Sequence, residues 1–450
     1  MRFENVQGRL TLPGDSGWDA ARRAWNLSVD QRPAAVVEAA SAEDVQAVVR
    51  AAVGGGLRVA PQATGHGAEA LGPLDDAVLL KTSALRAIAV DADAGVARVD
   101  AGVLAAEAAE AAGARRLAPV LGLAPTVGVA GLTLGGGTGW LSRLHGLAAN
   151  NARAFEVVTA AGERLRVDAT SEPDLFWALR GGGGRGAILT ALELRLHPLD
   201  QAFGGMIAWP AERAPEVVEE LRRWSFDAPE ALTPVFRYLS LPPIDAVPAP
   251  LRGRKVVALL AVFLGPEADG ERATAPIRRA AGALLDTFAP LAPGALVHIA
   301  GDPEQPVPAR GDSLLLDELT EDAAEAAGTL IAEDALDPLT VLELRMLGGA
   351  LARAGDEHGA LARLDGAFSV FMGGAAPDAE SAAAVADRIA LVRERLGPWT
   401  ADRALLGSAA AGTDPARAFD AATWERLERV RAAFDPERAI VTTHDVLSEA

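Results

Sequence analysis

Apolar and polar positions alternate, then repeat at helical spacing, then alternate again across residues 34–62. Ala34 to Glu38 is a short β-branched run. Ser41 follows, with Asp44 three residues later, a variant of the capping box that opens a helix. Gly54-Gly55-Gly56 stops that helix, and Leu57 to Pro61 alternates as a strand should. Residues 77–101 predict successive strands, with Asp93 and Gly95 turning between the apolar runs Ala87–Val90 and Val96–Val99. A helix is expected from Leu104 to Arg115, then a glycine-rich stretch from Gly122 to Gly146. Strands at 154–160 and 163–168 turn at Ala161-Gly162. A short helix, Glu172 to Leu179, precedes four glycines and a β-rich run from Ala187 to Leu196.

The second half predicts helices at about 211–224, 267–285 and 379–396 between strands at 232–240, 254–264, 340–347 and 366–373. Proline-rich loops at 242–250 and 303–308 separate some of them. A helix from Trp424 to Phe434 and a short strand from Ala439 to Thr443 close the chain.

Composition narrows the chemistry. Half of the 450 residues are hydrophobic, enough for a large core, and the net charge is −19. An acidic surface repels phosphate backbones and anionic lipid, so neither nucleic acid nor a membrane is an expected partner. No stretch reaches the ~18–20 apolar residues of a membrane helix. There is no cysteine, which removes disulfides, thiolate metal sites and cysteine nucleophiles, and fits a reducing cytoplasm. No metal site is expected: His298 has only Asp302 near it, and His358 sits among Asp356 and Glu357 as in a solvated loop. His145 reads as structural and His197, before a proline, as a surface residue.

Gly181-Gly182-Gly183-Gly184-Arg185-Gly186 matches G-x-G-x-x-G literally. A dinucleotide-binding loop needs a strand before it and a helix after it, and here the order is inverted. The informative pair lies upstream. Ala63-Thr64-Gly65-His66-Gly67 directly follows a predicted strand. Pro125-Thr126-Val127-Gly128-Val129-Ala130-Gly131-Leu132-Thr133-Leu134-Gly135-Gly136-Gly137-Thr138-Gly139-Trp140 follows later. Glycines let backbone N–H groups turn toward an anion such as a pyrophosphate, and interleaved apolar residues suit a flavin ring. Either segment alone reads as an ordinary loop. A histidine between two glycines is expected to be exposed on a tight turn.

With these two motifs, with Ser142 to Asn151, and with Asp174 to Gly184, the chain resembles the FAD-linked oxidases of the vanillyl-alcohol-oxidase superfamily, in their berberine-bridge-enzyme-like branch. The resemblance covers residues 33–197, returns at Glu343 to Ala350, and returns again at Phe434-Asp435-Pro436 through His444. It implies an α+β fold. A bipartite FAD-binding domain would span residues 1–200 with a C-terminal return at 405–450. A substrate domain at 201–404 would be an antiparallel sheet backed by helices.

The resemblance further implies FAD joined covalently through His66. The second, cysteinyl link of many relatives falls on Ala124 here, so the link would be single. The implied cofactor contacts are Ala63, Thr64, Gly65, His66, Gly67, Pro125, Thr126, Val127, Gly128, Gly131, Leu134, Gly135, Gly136, Gly137, Trp140, Asn150, Asn151, Ile188 and His444. The family's Tyr-x-Asn-Phe element, whose tyrosine often serves in catalysis, falls on Leu405-Leu406-Gly407-Ser408, which has neither phenol nor amide. A replacement base is therefore sought on the second-half strands, in Tyr238 or in Glu343 with a carboxyl raised by burial. Arg345 would be the electrostatic partner; period-2 alternation puts it on one face with Glu343. An ordinary ion pair is the bland reading of these charges.

The implied activity is hydride transfer from a small organic substrate to the flavin, with O2 as acceptor. A same-fold dehydrogenase, a tailoring enzyme not using O2, and a catalytically weak flavin-binding protein are the alternatives.

Overall fold

The computed structural model describes Phe3 and residues 6–445. The helix Ala42–Gly54 starts where Ser41 accepts a hydrogen bond from the amide of Asp44 at 3.2 Å. The Asp44 carboxylate in turn accepts from the amides of Gln7, Gly8 and Ala40. That is why a charged residue in the first turn can be almost fully buried.

This helix covers a four-stranded sheet of β1 (Arg9–Thr11), β2 (Ala35–Glu38), β3 (Arg58–Gln62) and β4 (Ala77–Lys81), in the order β1-β2-β4-β3. The pairs β2–β4 and β3–β4 are parallel, so Gln62 and Lys81 end side by side at one edge, and the His66 loop leaves from there. A second sheet holds β5 (Ile88–Asp91), β6 (Val96–Asp100), β7 (Leu117–Pro119), β8 (Ala152–Thr159), β9 (Arg164–Asp168) and β10 (Ala187–Pro198). The long β10 is its spine, pairing antiparallel with β6, β7 and β8.

The third sheet is antiparallel and eight-stranded: β11 (Ala202–Pro210), β12 (Leu232–Ser240), β13 (Lys255–Phe263), β14 (Leu285–Asp286), β15 (Ala289–Leu291), β16 (Ala309–Leu316), β17 (Leu339–Met346) and β18 (Phe368–Ala375). Its central order is β11-β13-β12-β17-β18-β16. On one face Phe236, Leu342, Val370 and Leu314 pack with side chains of the helices Ala214–Phe226, Glu321–Ala332 and Ala379–Leu396. On the other, Val235, Ala258 and Leu260 meet Trp140, Leu141 and Leu123 of the first half. Strand alternation thus gives the sheet one helix-covered face and one face toward the glycine-rich stretch.

Among the elements absent from the sequence reading, three are long. β11 carries two glycines that blur its pattern, β16 follows a proline-rich loop, and Glu321–Ala332 is so rich in alanine that its apolar stripe is shallow. The helix expected to reach 285 ends at Arg278, two residues after Pro276. The expected strand Ala439–Thr443 is reduced to one parallel bridge between Ile440 and Val59. Two hydrogen bonds around that bridge, and one from His444 N–H to the Ala70 carbonyl at 2.7 Å, return the chain end to the first sheet. No helix among the described residues is long and apolar enough to cross a membrane.

Candidate functional site

His66 sits where the two glycine-rich loops touch. Its Nδ1 lies 2.8 Å from the Thr64 hydroxyl and its Nε2 lies 3.3 Å from the Thr126 hydroxyl. The Trp25 indole stacks on the ring at 4.1 Å between centroids, and the Trp25 amide donates to the Thr64 carbonyl at 2.9 Å. The imidazole is therefore half-buried, not exposed as the sequence suggested. Burial lowers its pKa to about 4, so at neutral pH it is uncharged, with a proton on one ring nitrogen and a lone pair on the other.

The loops around it have the form that an anionic dinucleotide requires. Gly65 has φ of +87°, and a Cβ there would stand 2.9 Å from Ala24 Cα, so only glycine fits. At Gly128 a Cβ would sit 3.3 Å from the Ala63 Cβ, which measures how closely the two loops approach. The carbonyls of Pro125 and Val127 accept from Ala106 and Ala105, fixing the second loop to the start of the helix Ala105–Gly113. The amides of Thr64, Gly65, His66, Gly67, Thr126, Val127 and Gly128 find no acceptor among the described residues. Unpaired amides on two closely approaching loops are the donors that phosphate oxygens need. The residues present thus fit FAD: amide donors for its phosphates, and a neutral histidine beside them.

Farther along the glycine run, Gly137 has φ of +73° and lies against Ala148 and Leu132, which closes the backbone into a turn. Gly131 faces open space, whereas Gly135 and Gly136 lie toward Gly407 and Leu361. Leu134 accepts a hydrogen bond from Gly183 through its carbonyl. The tetraglycine segment therefore supports the glycine-rich stretch. It follows the helix Pro173–Leu179 and precedes β10, the inverted order read from the sequence.

The side chains of several expected cofactor contacts have partners within the protein. The Asn150 amide donates to the carbonyls of Leu361 and Ala362 and accepts from Gly359 N–H. Asn151 donates to the carbonyls of His145 and Leu147 and bonds His197 Nε2. Both side chains are committed to holding loops together. Trp140 is buried in the apolar cluster between the halves. Ile188 packs with Val48, Val158 and Ile440. His197 is half-buried, stacked on His145 at 3.6 Å, instead of lying on the surface.

The face of the third sheet turned toward the glycine run carries one charged group of residues. Register pairs Arg237 with Glu343 and Tyr238 with Leu342. Tyr238 consequently points to the helix-covered side, 1% exposed, its hydroxyl without a partner among the described residues. It cannot be the base that faces a flavin. Glu343 is on the correct face, as its spacing from Arg345 suggested, but it accepts from Arg237 Nε at 2.7 Å and from Arg345 at 2.7 Å. Burial favours its neutral form; the two guanidiniums outweigh burial and hold the carboxyl at about 2. The expected raised carboxyl is thus corrected to a depressed one, and Glu343 is no proton acceptor near neutral pH.

Arg345 also reaches out of the sheet and donates to the Thr138 hydroxyl at 3.0 Å, joining the third sheet to the glycine run. Arg237 continues the network to Asp302 and the Ala300 carbonyl. Arg237 and Thr138 were missed in the sequence. An arginine inside the apolar run of β12 was the available signal.

Leu405 to Ser408 does lie at the glycine run: a Cβ on Gly135 would meet Gly407 Cα at 3.9 Å, and Ser408 donates to Ser313 at 2.9 Å. The buried His444 donates from Nε2 to the Leu406 carbonyl, and its Nδ1 has no partner among the described residues. Arg185, 2% exposed, lies over the Trp424 ring and makes one long hydrogen bond to Thr442. Among the described residues no cluster of three or more metal-ligating side chains occurs.

Residues 33–168 match the FAD binding domain family. The chain is 34% identical over 216 residues to (R)-6-hydroxynicotine oxidase of Paenarthrobacter nicotinovorans, covering 48% of this chain and 46% of that protein. It is 37% identical over 180 residues to glucooligosaccharide oxidase of Sarocladium strictum, covering 39% and 36%. In sequence the chain thus spans about half the length, or less, of the curated relatives it matches.

The fold extends further. The crystal structure of 6-hydroxy-D-nicotine oxidase from Arthrobacter nicotinovorans superposes with a TM-score of 0.84 at 24% identity, over 99% of this chain and 98% of that one. The berberine-bridge-enzyme-like protein 1 of Physcomitrella patens gives 0.84 at 19%, over 99% and 98%. Residues 33–168 thus match an FAD binding domain, and the chain as a whole has the fold of these two solved structures.

Proposed function

We propose that this chain is a flavoenzyme that binds FAD in the loops of residues 63–67 and 125–131, links it once through His66, and oxidises a small organic substrate over the charged face of the third sheet. The observation that carries this reading is the setting of His66: neutral, stacked, and suspended between two loops of unpaired amides. A relative, the glucooligosaccharide oxidase of Acremonium strictum, is described with cysteinyl and histidyl FAD. The absence of cysteine leaves this chain only the histidyl attachment.

FAD when bound supplies the acceptor for a hydride from a substrate C–H, and O2 is the proposed final oxidant. The chain's own part is to hold and to polarise. Arg345, fixed by Glu343 and Thr138, puts positive charge beside the glycine run. With Tyr238 turned away and Glu343 held ionised, neither serves as proton acceptor.

His66→Ala tests the reading. The variant is expected to lose all acid-stable yellow colour while wild-type protein keeps it, and photoreduced wild type is expected to reoxidise rapidly in air. A colourless wild type that takes up no added FAD would overturn the assignment. Slow reoxidation in air, with immediate reaction with a quinone, would replace the oxidase by a dehydrogenase.

A further inference from the structure

We infer that the substrate is a planar aromatic ring carrying an oxygen substituent, held over β18 with Phe371 against the ring and Ser369 and Arg345 at the oxygen. This rests on the flavoenzyme reading above and gives the substrate its chemical class.

Strand alternation decides which side chains of β18 face the glycine run. Val370 and Met372 are buried under the helices, so Ser369 and Phe371 face the other way. Register places Phe371 between Glu343 of β17 and Ser313 of β16, and Ser369 beside Arg345. The strands on both sides of β18 are tied to the glycine run. Arg345 of β17 donates to Thr138 at 3.0 Å. Ser313 of β16 accepts from Ser408 at 2.9 Å, and the neighbouring Gly407 lies against Gly135. Phe371 and Ser369 lie between these two ties.

Both are left without partners. Phe371 is half-buried and belongs to none of the apolar clusters, although an aromatic ring gains much from burial. Its ring lies across the next strand. A Cβ on Gly311 would stand 2.9 Å from Phe371 Cζ, and one on Gly373 would stand 3.4 Å from it. The two glycines give the ring a flat bed. Ser369 is 7% exposed, and its hydroxyl has no hydrogen-bond partner among the described residues. Arg345 gives Nε and one Nη2 hydrogen to Glu343, which leaves the second Nη2 hydrogen to donate.

A ligand that satisfies all three groups presents an aromatic face to Phe371 and an acceptor oxygen to Ser369 and Arg345. A sugar is a poor occupant. It carries a hydroxyl on nearly every carbon, and the row beside Phe371 offers Leu239, Val341, Gly373 and Gly311. Hydroxyls buried there would lack partners. The oxygen need not be anionic, because Glu343 and Asp302 already balance Arg237 and Arg345.

The test uses the flavin-loaded full chain. It is titrated with para-hydroxybenzyl alcohol, para-hydroxybenzylamine and para-cresol, and with maltose and cellobiose, while the flavin absorbance is followed. Saturable shifts are expected from the aromatic set. A disaccharide that binds as tightly as the best aromatic compound, or an aromatic set that leaves the spectrum unchanged, overturns the inference and leaves the FAD reading standing. A chain that takes up no FAD removes that reading first, so the two failures are distinguished. Phe371→Ala is expected to weaken the best aromatic ligand about tenfold, the upper range for a lost aromatic pair, with flavin content and thermal midpoint unchanged. Phe371→Leu keeps the apolar bulk, guards against misfolding, and should weaken binding by a smaller factor; Phe371→Tyr should restore it. Ser369→Ala should abolish the preference for para-cresol over toluene, a readout that loss of packing alone would not move. Phe371→Ala and Phe371→Leu proteins that both bind as wild type does would remove Phe371 from the role and overturn the inference.

Discussion

Glu343 is buried between the guanidiniums of Arg237 and Arg345, and its titration follows from them. Its carboxyl is held at about 2, below the ordinary 4.5. A depressed carboxyl stabilises the fold fully above its unfolded pKa, and that contribution is lost as pH falls from about 4.5 to about 2. Glu343→Gln is expected to leave the buried Arg237 and the half-buried Arg345 without their shared carboxylate and to cost about 3–5 kcal/mol in denaturant unfolding, the usual cost of breaking a buried pair. The difference from wild type should vanish near pH 2. A variant as stable as wild type at pH 7 would show that the network contributes nothing. The sequence disclosed that Glu343 and Arg345 share a face, because alternation is local. It could not disclose Arg237, because the register of β12 against β17 is a property of the sheet. The same missing register put Tyr238 on the wrong side.

Among elements, the segment Ser142–His145 shows how the glycine run is fastened to the third sheet. Arg143, buried on it, donates to the carbonyls of Leu347 at 2.9 Å, of Pro229 at 3.2 Å, and of Ala228 and Leu232. Arg143→Ala strands these acceptors and is expected to destabilise the protein by about 3 kcal/mol or more. A shift of thermal midpoint within error would refute this. Two residues on, His145 stacks on His197, whose ring burial and the nearby His145 and Arg195 charges lower to about 4. A depressed histidine binds its proton more readily in the unfolded chain, so stability is expected to decline as pH falls from about 6.5 to about 4. His197→Asn should make that slope shallower in melts taken across the range, with His66 supplying part of what remains; an unchanged slope would acquit the pair. Strands and helices with strong periodicity were legible in the sequence. The glycine-bearing β11 and the alanine-rich helix Glu321–Ala332 were not, since neither gives a contrast of apolar and polar positions.

In the whole molecule, two sheets built from the first 200 residues and a third sheet of eight strands meet over the glycine run, and the chain end returns to the first sheet at Val59 and Ala70. The motifs around His66 and Gly128 were readable because they depend on residue type at fixed local spacing. What Asn150, Asn151 and Trp140 do was not readable, since their partners lie far along the chain or across the interface. The central claim is that these parts converge to hold one flavin on one histidine, and a single measurement bears on it most directly. Purified protein is precipitated in acid and digested with trypsin, and the peptide Val59–Lys81, which contains His66, is analysed by mass spectrometry. The account predicts that this peptide carries the full mass of one FAD and that no other peptide does. An unmodified Val59–Lys81 peptide, or a flavin on any other peptide, would contradict it.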